Sequence, residues 1–497
     1  MTASDALIIR NIGTGVPGLD AVLGGGLCEY SFNLIAGAPG AGKTTLVQQI
    51  LFANATPERP ALYFTVLGEP TIKMLRYQQQ FEFFNPARVP SAVRFINLAA
   101  EATAGDLEAV LRRIIAEVGD AAPAFVAVDS FRTIVGDQRA AEPTAAIELA
   151  RFVNRLAQQL TTWEVTSFLI GEYADEEQRH PVFTVADTIL WLSEDVDRNS
   201  ATRKLRAVKV RGRSPMPGLH TCRITGAGMQ VFPRIPEQQR QRAARENKRL
   251  ATGVPGLDEM TGGGIPAGDV VLLTGPAGSG KTTFATHFIA QGLTDGESCV
   301  VAVFEEYPEA YLARAKTVSG DLDMMVERGR LAVTYLRPLD LSVDEMLAEI
   351  QTAVERVGAT RVVIDSLSGF EVALAPTYRT DFRESLYRLV GALTATGVTV
   401  LMTDEVVDAS PGSRFTHERV SFITDDIFVQ RYVEIDGRLE KVLSVIKMRG
   451  SDHATDFRLY RLTAEGAVLG ESLSNYHGIT TGVPALVEPI IAVAADD

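Results

Sequence analysis

Two glycine-rich octapeptides, 238 residues apart, constrain the fold of this chain more than any other feature. The first is GAPGAGKT at residues 37–44 and the second is GPAGSGKT at residues 275–282, and both match G-x-x-x-x-G-K-[ST] at every fixed position. In such a loop the glycines let backbone N–H groups approach phosphate oxygens, and the lysine meets the β- and γ-phosphates. The sequence therefore predicts two binding sites for a nucleoside triphosphate.

The residues around both loops favour the strand–loop–helix context that such a site needs. The apolar runs Phe32–Ala36 and Val270–Thr274 indicate buried strands before the loops, and Thr45–Phe52 and Thr283–Ala290 indicate helices after them. A helix N-terminus attracts an anion through its dipole, and the loop threonine hydroxyl is a ligand for Mg²⁺. We expect nucleotide contacts at Gly40, Ala41, Gly42, Lys43, Thr44 and Thr45, and at Gly278, Ser279, Gly280, Lys281, Thr282 and Thr283.

The chain is an internal duplication along its whole length. GVPGLD recurs at residues 15–20 and 253–258, and a K-x-R-G sequence recurs at 209–212 and 447–450, both at the same offset of 238. Strand patterns alternate with helical patterns such as Gly105–Val118 and Val343–Val357, which predicts an α/β fold with a largely parallel sheet flanked by helices in each half. We predict domains at residues 1–233 and 250–470, a linker at 234–249 and a tail at 471–497.

Composition narrows the class of protein. The net charge of −14 argues against a surface dominated by nucleic-acid binding, because that affinity comes mainly from Lys and Arg. The arginine-rich run at 234–249 is either a nucleic-acid arm or a solvated linker, and its interspersed acidic residues favour the linker. Cys28, Cys222 and Cys299 lack metal-ligand spacing, so we expect buried thiols in a reducing compartment. The sequence shows neither a signal segment nor 18 consecutive apolar residues, which predicts a cytoplasmic protein without membrane contact.

Acidic residues at the ends of strand-like segments complete the candidate sites. Asp129 and Asp365 each end an apolar run and suit coordination of Mg²⁺ through its waters, although an aspartate here can also simply cap the following turn. In the second half, Val300–Phe304 leads into Glu305-Glu306, a pair that suits a general base unless both are solvated loop residues. The first half has Leu67-Gly68 at that offset, with Glu69 one position beyond. We therefore expect the first site to bind nucleotide but hydrolyse it slowly or not at all.

Taken together, the tandem P-loops, the two TGVPGLD motifs, the Glu-Glu pair and the two K-x-R-G sequences resemble the KaiC family, the circadian clock ATPases and autokinases of cyanobacteria. The resemblance covers essentially the whole chain. It implies a RecA-like fold in each half, a homohexamer of two stacked rings, and ATP held with Mg²⁺ at the subunit interfaces. It also implies slow ATPase activity, a second ring that phosphorylates its own serine and threonine, and a KaiB-like or signalling partner protein.

The resemblance also assigns residues. Lys447 and Arg449 match the basic pair that reaches a neighbour's triphosphate, as do Lys209 and Arg211 in the first half. The phosphoacceptor segment matches with Ser421 at the first of two adjacent hydroxyl positions, Phe422 at the second, and Thr416 at a further threonine. Because Phe422 cannot accept phosphate, an ordered two-site cycle is not expected. The tail resembles the family's C-terminal regulatory loop.

Three functions remain open on the sequence. The first is a KaiC-like ATPase and serine autokinase, and the second is a signalling scaffold whose ATP-dependent state is read by partners without relevant kinase activity. The third is a DNA-handling RecA-type ATPase. The segments Phe131–Thr144 and Leu367–Arg383, where RecA proteins carry DNA-binding loops, lack a basic-aromatic pattern, which makes nucleic acid an unfavoured partner.

Overall fold

Two sheets organise the chain, one in each of the units Met1–Pro236 and Glu237–Asp497. A computed structural model describes residues 10–66, 71–103, 106–130, 143–173, 181–197, 200–234, 248–336, 341–374, 382–406, 422–481 and 484–486. In both units the central strands are nearly continuous apolar runs, because the two faces of a parallel sheet are both covered by helices.

The first unit contains a mixed sheet with a parallel centre. Its described strands are β1 (Asn11–Ile12), β2 (Leu27–Cys28), β3 (Phe32–Gly37), β4 (Ala61–Thr65), β5 (Val93–Asn97), β6 (Phe125–Asp129), β7 (Thr166–Glu172), β8 (Thr188–Asp197), β9 (Ser200–Val210), β10 (His220–Thr225) and β11 (Gly228–Phe232). The sheet order is β5-β4-β6-β7-β3-β8-β9-β10-β11. Pairing is parallel from β5 to β8 and antiparallel from β8 to β11.

Helices cover both faces of this sheet. They are α1 (Leu19–Val22), α2 (Lys43–Asn54), α3 (Thr71–Gln78), α4 (Ala99–Thr103), α5 (Leu107–Ala121), α6 (Pro143–Thr162) and α7 (Pro181–Val185), with a 3₁₀ turn at Pro86–Arg88. Because strand side chains alternate between faces, Tyr63 and Phe125 share one apolar core with α2, while Phe64 and Val126 share the other with α5 and α6. The P-loop helix and the long amphipathic helices therefore lie on opposite faces.

The second unit repeats this architecture. Its described strands are β12 (Arg249–Leu250), β13 (Ile265–Pro266), β14 (Val270–Gly275), β15 (Cys299–Val303), β16 (Leu331–Tyr335), β17 (Arg361–Asp365), β18 (Thr399–Glu405), β19 (Asp426–Ile435), β20 (Arg438–Met448), β21 (Arg458–Thr463), β22 (Gly466–Ser472), β23 (Tyr476–His477) and β24 (Ala485–Leu486). The helices are α8 (Leu257–Met260), α9 (Lys281–Thr294), α10 (Pro308–Ala315), α11 (Leu322–Glu327), α12 (Val343–Val357), α13 (Leu367–Ala373) and α14 (Phe382–Ala395), with a 3₁₀ turn at Ile479–Thr481. The main sheet runs β16-β15-β17-β18-β14-β19-β20-β21-β22, strand for strand the order of the first unit.

The predicted fold class is confirmed: each half is an α/β unit with a largely parallel sheet and flanking helices. The strands before the P-loops each run one residue further than predicted, to Gly37 and Gly275. The helices after them begin at Lys43 and Lys281, two residues earlier than predicted, because the P-loop lysine already belongs to the first helical turn. The predicted helix Val343–Val357 matches α12, which begins with a capping box formed by Ser342 and Glu345.

The segments between and after the domains are only partly described. Residues 235–247 of the predicted linker lie outside the described part of the chain, whereas Arg249, which we assigned to the linker, forms β12 and pairs with β13 in the second unit. In the predicted tail, β22 extends to Ser472, and β23 pairs with β24. Residues 487–497 lie outside the described residues.

Two further expectations concern cysteines and membranes. Cys222 and Cys299 are buried free thiols, and burial raises the pKa of Cys299 to about 12, but Cys28 is partly exposed and the expectation of burial is wrong for it. None of the helices in the described part of the chain has the length and apolar character needed to cross a bilayer.

Candidate functional site

The first P-loop connects the carboxyl end of β3 to α2 and turns its lysine back onto its own backbone. Lys43 Nζ donates hydrogen bonds to the carbonyl oxygens of Gly37, at 2.9 Å, and Ala38, at 2.7 Å. An ammonium group carries three donors, so this geometry holds Nζ at the loop and leaves a donor for an anion. Burial lowers the pKa of Lys43, and the carboxylates of Glu172 and Asp129 oppose that shift.

The second P-loop has the same arrangement. Lys281 Nζ donates to the carbonyl oxygens of Gly275 and Pro276, both at 2.9 Å. Burial lowers the pKa of Lys281, and the negative charge of Glu405 is the strongest of the opposing influences. At both lysines, carboxylates at the carboxyl end of the sheet therefore partly offset the effect of burial on the pKa.

Helix N-termini complete both cradles. Gly42 and Gly280 are the N-cap residues of α2 and α9, in the left-handed conformation (φ 98° and 97°), and no described side chain caps either helix. Uncapped N–H groups in a first turn favour an anion there. The first loop's Ala41 and the second loop's Ser279 are buried, and Ser279 Oγ donates to Gln430 Oε1 at 2.8 Å. These two residues can therefore offer nucleotide only backbone groups, whereas Gly40, Gly278, Thr45 and Thr283 remain accessible.

The predicted metal carboxylates differ in how they are held. In the first unit, Asp129 Oδ2 accepts hydrogen bonds from Thr44 Oγ1 at 2.8 Å and from the Tyr63 hydroxyl at 2.6 Å. Burial raises the pKa of Asp129, and these two donors oppose the rise. In the second unit, Thr403 Oγ1 donates to Asp365 Oδ1, and the described contacts do not join Thr282 to Asp365.

The residues present in the first unit fit Mg²⁺. A hydroxyl and a carboxylate in contact at a helix N-terminus are the oxygen ligands that this cation uses beside nucleotide phosphates. Within the described residues, no cluster of three or more His, Cys, Asp or Glu side chains forms a metal site. Beside a nucleotide, Mg²⁺ usually takes one or two carboxylates together with substrate phosphates rather than an all-protein cage. Thr44 and Asp129 would hold it in the first site, and Thr282 and Asp365 in the second.

Glu305 and Glu306 lie just beyond the carboxyl end of β15 but have different partners. Glu305 Oε1 accepts a hydrogen bond of 3.0 Å from Ser366 Oγ, and Ser366 directly follows Asp365. Glu306 instead accepts a hydrogen bond from Arg314 on α10. Burial raises the pKa of Glu306, and the Arg314 guanidinium opposes the rise. Of these two glutamates, Glu305 is the one with a described contact to Ser366, the residue next to the predicted metal carboxylate Asp365.

Sequence reasoning missed two further carboxylates at this edge. Glu172 ends β7 opposite Gly37 in the parallel register, and Glu405 ends β18 opposite Gly275. Both are exposed, one strand away from a P-loop, and both oppose the lowering of the lysine pKa described above. Their position at the end of a strand in each half was the available signal, but it becomes informative only once β7 and β18 are known to neighbour the P-loop strands.

The K-x-R pairs lie at the opposite end of each sheet, where the parallel strands begin. Arg211 forms an ion pair with Asp187 at 3.1 Å, and Arg449 forms one with Asp425 at 3.2 Å. Each aspartate also accepts a hydrogen bond from the backbone N–H of the first residue of the P-loop strand, Phe32 of β3 or Val270 of β14. Lys209 and Lys447 donate to backbone carbonyls nearby, Lys447 to Thr424 at 2.6 Å. Since a strand rises about 3.3 Å per residue, this end is about 17 Å from the same unit's P-loop.

Two groups of predicted residues lie outside the described part of the chain. Ser421 and Thr416, the candidate phosphoacceptors, and Leu67, Gly68 and Glu69 of the first half all lie outside the described residues. Of the segments compared with DNA-binding loops, Leu367–Ala373 forms α13, and residues 131–142 and 375–381 are likewise outside the described part.

Comparison with known proteins agrees with this geometry. The family model "ATPase: KaiC" matches twice, at residues 12–235 and 250–474. The chain belongs to the KaiC ATPase family. It is 28% identical over 487 residues to the circadian clock oscillator protein KaiC of a Picosynechococcus species, covering 96% of this chain and 93% of that protein. It is also 28% identical over 489 residues to KaiC of Prochlorococcus marinus, covering 97% of both chains, and 27% identical over 483 residues to KaiC of Parathermosynechococcus lividus, covering 95% of this chain and 88% of that one. The resemblance read from the motifs is confirmed, and with it nucleotide binding by a KaiC-like ATPase.

Proposed function

We propose that this chain is a ring-forming ATPase in which the second domain carries most of the ATP hydrolysis and transfers phosphate to Ser421, so that the ring works as a signalling or clock-type switch. The observation that carries the proposal is the hydrogen bond from Ser366 to Glu305, which holds a carboxylate beside Asp365 at the edge of the sheet where Lys281 lies. A carboxylate in that position suits a general base for water or for a hydroxyl nucleophile.

In this proposal the residues of the second site divide the work. Lys281, the loop N–H groups and the N-terminus of α9 bind the triphosphate. Thr282 and Asp365 would hold Mg²⁺, which would neutralise charge on the phosphates when bound. Glu305 accepts the proton of the attacking group. Glu306, engaged with Arg314, orients α10 and the loop after β15 rather than the nucleophile.

Ring formation is supported by the position of the K-x-R pairs. Lys209 and Arg211, and likewise Lys447 and Arg449, lie at the end of the sheet opposite their own P-loop, too far away to reach the triphosphate there. We assign them to the triphosphate of a neighbouring subunit. An arginine supplied by a neighbour stabilises charge on the γ-phosphoryl group. The proposed assembly is a homohexamer of two stacked rings.

The test compares turnover of single variants in the full chain. Glu305→Gln keeps the shape of the side chain and removes its basicity, so ATP hydrolysis should fall by roughly 10² or more. Glu306→Gln is the matched control and should reduce turnover far less, as should Lys43→Ala, which removes the first P-loop lysine. The proposal fails if Glu305→Gln leaves turnover intact while Lys43→Ala abolishes it.

One observation favours the scaffold function instead. Phe422 stands where the resemblance expects a second phosphoacceptor, and it packs on α14 with the Arg383 guanidinium 4.2 Å from its ring centroid and the Tyr387 ring 6.1 Å away. A nucleotide-dependent scaffold without relevant kinase activity would need no acceptor hydroxyl in this segment. Phosphopeptide mapping distinguishes the two functions.

A further inference from the structure

Each metal carboxylate accepts a hydrogen bond from a buried hydroxyl on a neighbouring strand, but the two halves use opposite neighbours. Asp129 on β6 accepts from Tyr63 on β4, and Asp365 on β17 accepts from Thr403 on β18. Tyr63 and Thr403 are both fully buried, with no exposed surface. The donor therefore approaches the carboxylate from one side of its strand in the first unit and from the other side in the second.

The register shows that neither donor has a counterpart in the other half. Tyr63 pairs with Ala127 on β6, and the equivalent pair in the second unit is Val301 with Val363. Thr403 pairs with Leu273 on β14, and the equivalent pair in the first unit is Ile170 with Ile35. Where one half has a hydroxyl, the other has an aliphatic side chain, so each site carries its own donor and lacks the other's.

A buried hydroxyl needs a partner, and here the partner is the carboxylate predicted to bind metal. In the first site the hydroxyls of Thr44 and Tyr63 both donate to Oδ2 of Asp129, so two bonds from different elements restrain rotation of this carboxylate. In the second site the described donor to Asp365 is Thr403, acting on Oδ1. Groups that orient a metal-binding carboxylate in this way typically change metal affinity by about 10- to 100-fold when they are removed.

We propose that Tyr63 and Thr403 are positioning residues that set the divalent-cation affinity of the two P-loops independently, Tyr63 through Asp129 and Thr403 through Asp365. This rests on the proposed function in one respect, that each P-loop binds nucleotide together with a divalent cation. The cation affinities of the two ATP sites in one chain are then set by different residues, although their P-loops and strand orders match.

The experiment measures Mn²⁺ binding to the full chain by electron paramagnetic resonance in the presence of a non-hydrolysable ATP analogue. Lys281→Ala restricts binding to the first site and Lys43→Ala restricts it to the second. In the Lys281→Ala chain, Tyr63→Phe should weaken Mn²⁺ binding by about 10- to 100-fold, and Thr403→Val should leave it unchanged. In the Lys43→Ala chain, Thr403→Val should weaken Mn²⁺ binding and Tyr63→Phe should leave it unchanged. Each variant is therefore the control for the other.

Two further measurements separate positioning from loss of structure. Affinity for a fluorescent ATP analogue in EDTA should stay the same in every variant of a given background, since only the metal carboxylate is affected. Adding Ile170→Thr to Tyr63→Phe supplies the first site with a donor at the position that Thr403 holds in the second, and it should recover Mn²⁺ affinity.

Mn²⁺ affinity within about twofold of the parent for Tyr63→Phe overturns the inference, because positioning residues normally cost more than that. The inference is also overturned if Tyr63→Phe weakens analogue binding in EDTA as much as it weakens Mn²⁺ binding and Ile170→Thr does not restore it. The Tyr63 hydroxyl would then stabilise the fold without positioning the carboxylate. Failure of the proposed function has a different signature: the wild-type chain itself would bind no ATP analogue at either P-loop.

Discussion

Ser421 precedes a residue that cannot accept a phosphoryl group. Phe422 is 42% exposed, and Tyr387, which stacks against it, is 45% exposed. The Arg383 guanidinium over the Phe422 ring adds a cation–π contact worth about 0.5–1 kcal/mol at an exposed site. The aromatic side chain is thus held on α14, and a phosphate at Ser421 would introduce a dianionic group one residue from a guanidinium contact.

Phosphopeptide mapping after incubation with ATP and Mg²⁺ tests the autokinase at the level of this residue. We expect mainly a single modification at Ser421, with a minor share at Thr416, because the neighbouring position carries no hydroxyl. Ser421→Ala should remove most of the phosphate, while Phe422→Thr, which restores a hydroxyl, should allow a second modification. Wild-type protein without phosphate anywhere in residues 416–424 would contradict the autokinase and leave the scaffold.

At the same scale, sequence and structure agree on the groups that local motifs specify. Lys43 and Lys281 are held at the loops, and Asp129 and Asp365 end their strands as predicted. The partners of these groups were not predictable. Tyr63 reaches Asp129 only because β4 neighbours β6, and a sequence without contacts gives no order of strands.

Among elements, the TGVPGLD motif folds into a turn that begins α1 in the first unit and α8 in the second. Thr14 donates to Asp20 Oδ1 through its backbone N–H at 2.9 Å and its hydroxyl at 2.6 Å, and Thr252 N–H repeats the first bond to Asp258 at 2.9 Å. Gly18 and Gly256 then cap α1 and α8 in the left-handed conformation, at φ 79° and 85°. The motif recognised from sequence as a repeat therefore forms the same structural turn in both units.

The two glycines differ in the space around them, which gives a matched prediction. A Cβ on Gly18 would lie 1.9 Å from the Val231 carbonyl oxygen, whereas one on Gly256 would meet Leu469 Cβ at 3.2 Å. Both alanine variants bear the left-handed strain of about 1 kcal/mol, so Gly18→Ala should cost clearly more free energy of unfolding than Gly256→Ala.

Tryptophan fluorescence during urea unfolding measures the first unit separately, because Trp163 and Trp191, the only tryptophans in the sequence, both belong to it. Gly18→Ala should shift this transition to lower urea, and Gly256→Ala should leave it in place. An unshifted transition in Gly18→Ala would show that β11 moves aside without cost.

The parallel centre of each sheet and the strands and helices around the P-loops were predicted from hydrophobic patterns, because buried parallel strands are continuous apolar runs. The number of strands in each sheet was not predicted. Helix and strand ends were less predictable. The apolar run Val300–Phe304 continues one residue past the last residue of β15, since Phe304 remains buried after the ladder has ended. Burial sets the apolar pattern, and hydrogen bonding sets the end of the strand.

For the whole molecule, the repeated strand order places a P-loop at the carboxyl ends of the parallel strands in each sheet and a K-x-R pair near their amino ends. In the proposed ring the contact would be heterologous, because the end that carries the K-x-R pair on one copy would face the end that holds triphosphate on the next. Repetition of such a contact closes into a ring when the rotation permits, and ATP at the contact should promote assembly. The Arg211 side chain is 75% exposed and its partner Asp187 is 26% exposed, so this ion pair is weak enough to exchange for phosphate. The Arg449 side chain is 54% exposed, but its partner Asp425 is fully buried.

Mixed rings test whether the second-domain arginine acts between subunits. Lys281→Ala subunits lack a working second P-loop but keep Arg449, and Arg449→Ala subunits have the reverse defect, so each variant alone should show turnover near background. Random mixing in equal amounts places an intact P-loop beside an intact arginine at about one interface in four, and turnover should recover to about a quarter of wild type.

The control mixture pairs Lys281→Ala with the double variant Lys281→Ala/Arg449→Ala and should stay inactive, because no subunit then has an intact second P-loop. Recovery requires that subunits exchange, so the variants are mixed without nucleotide and assembled by adding ATP, with light scattering to follow the ring. If rings form but the first mixture gives only the average of its two parents, Arg449 serves its own subunit or none. The proposal that a neighbouring subunit supplies Arg449 would then be wrong. The proposed role of Glu305 in hydrolysis would stand, because it depends on contacts within one domain.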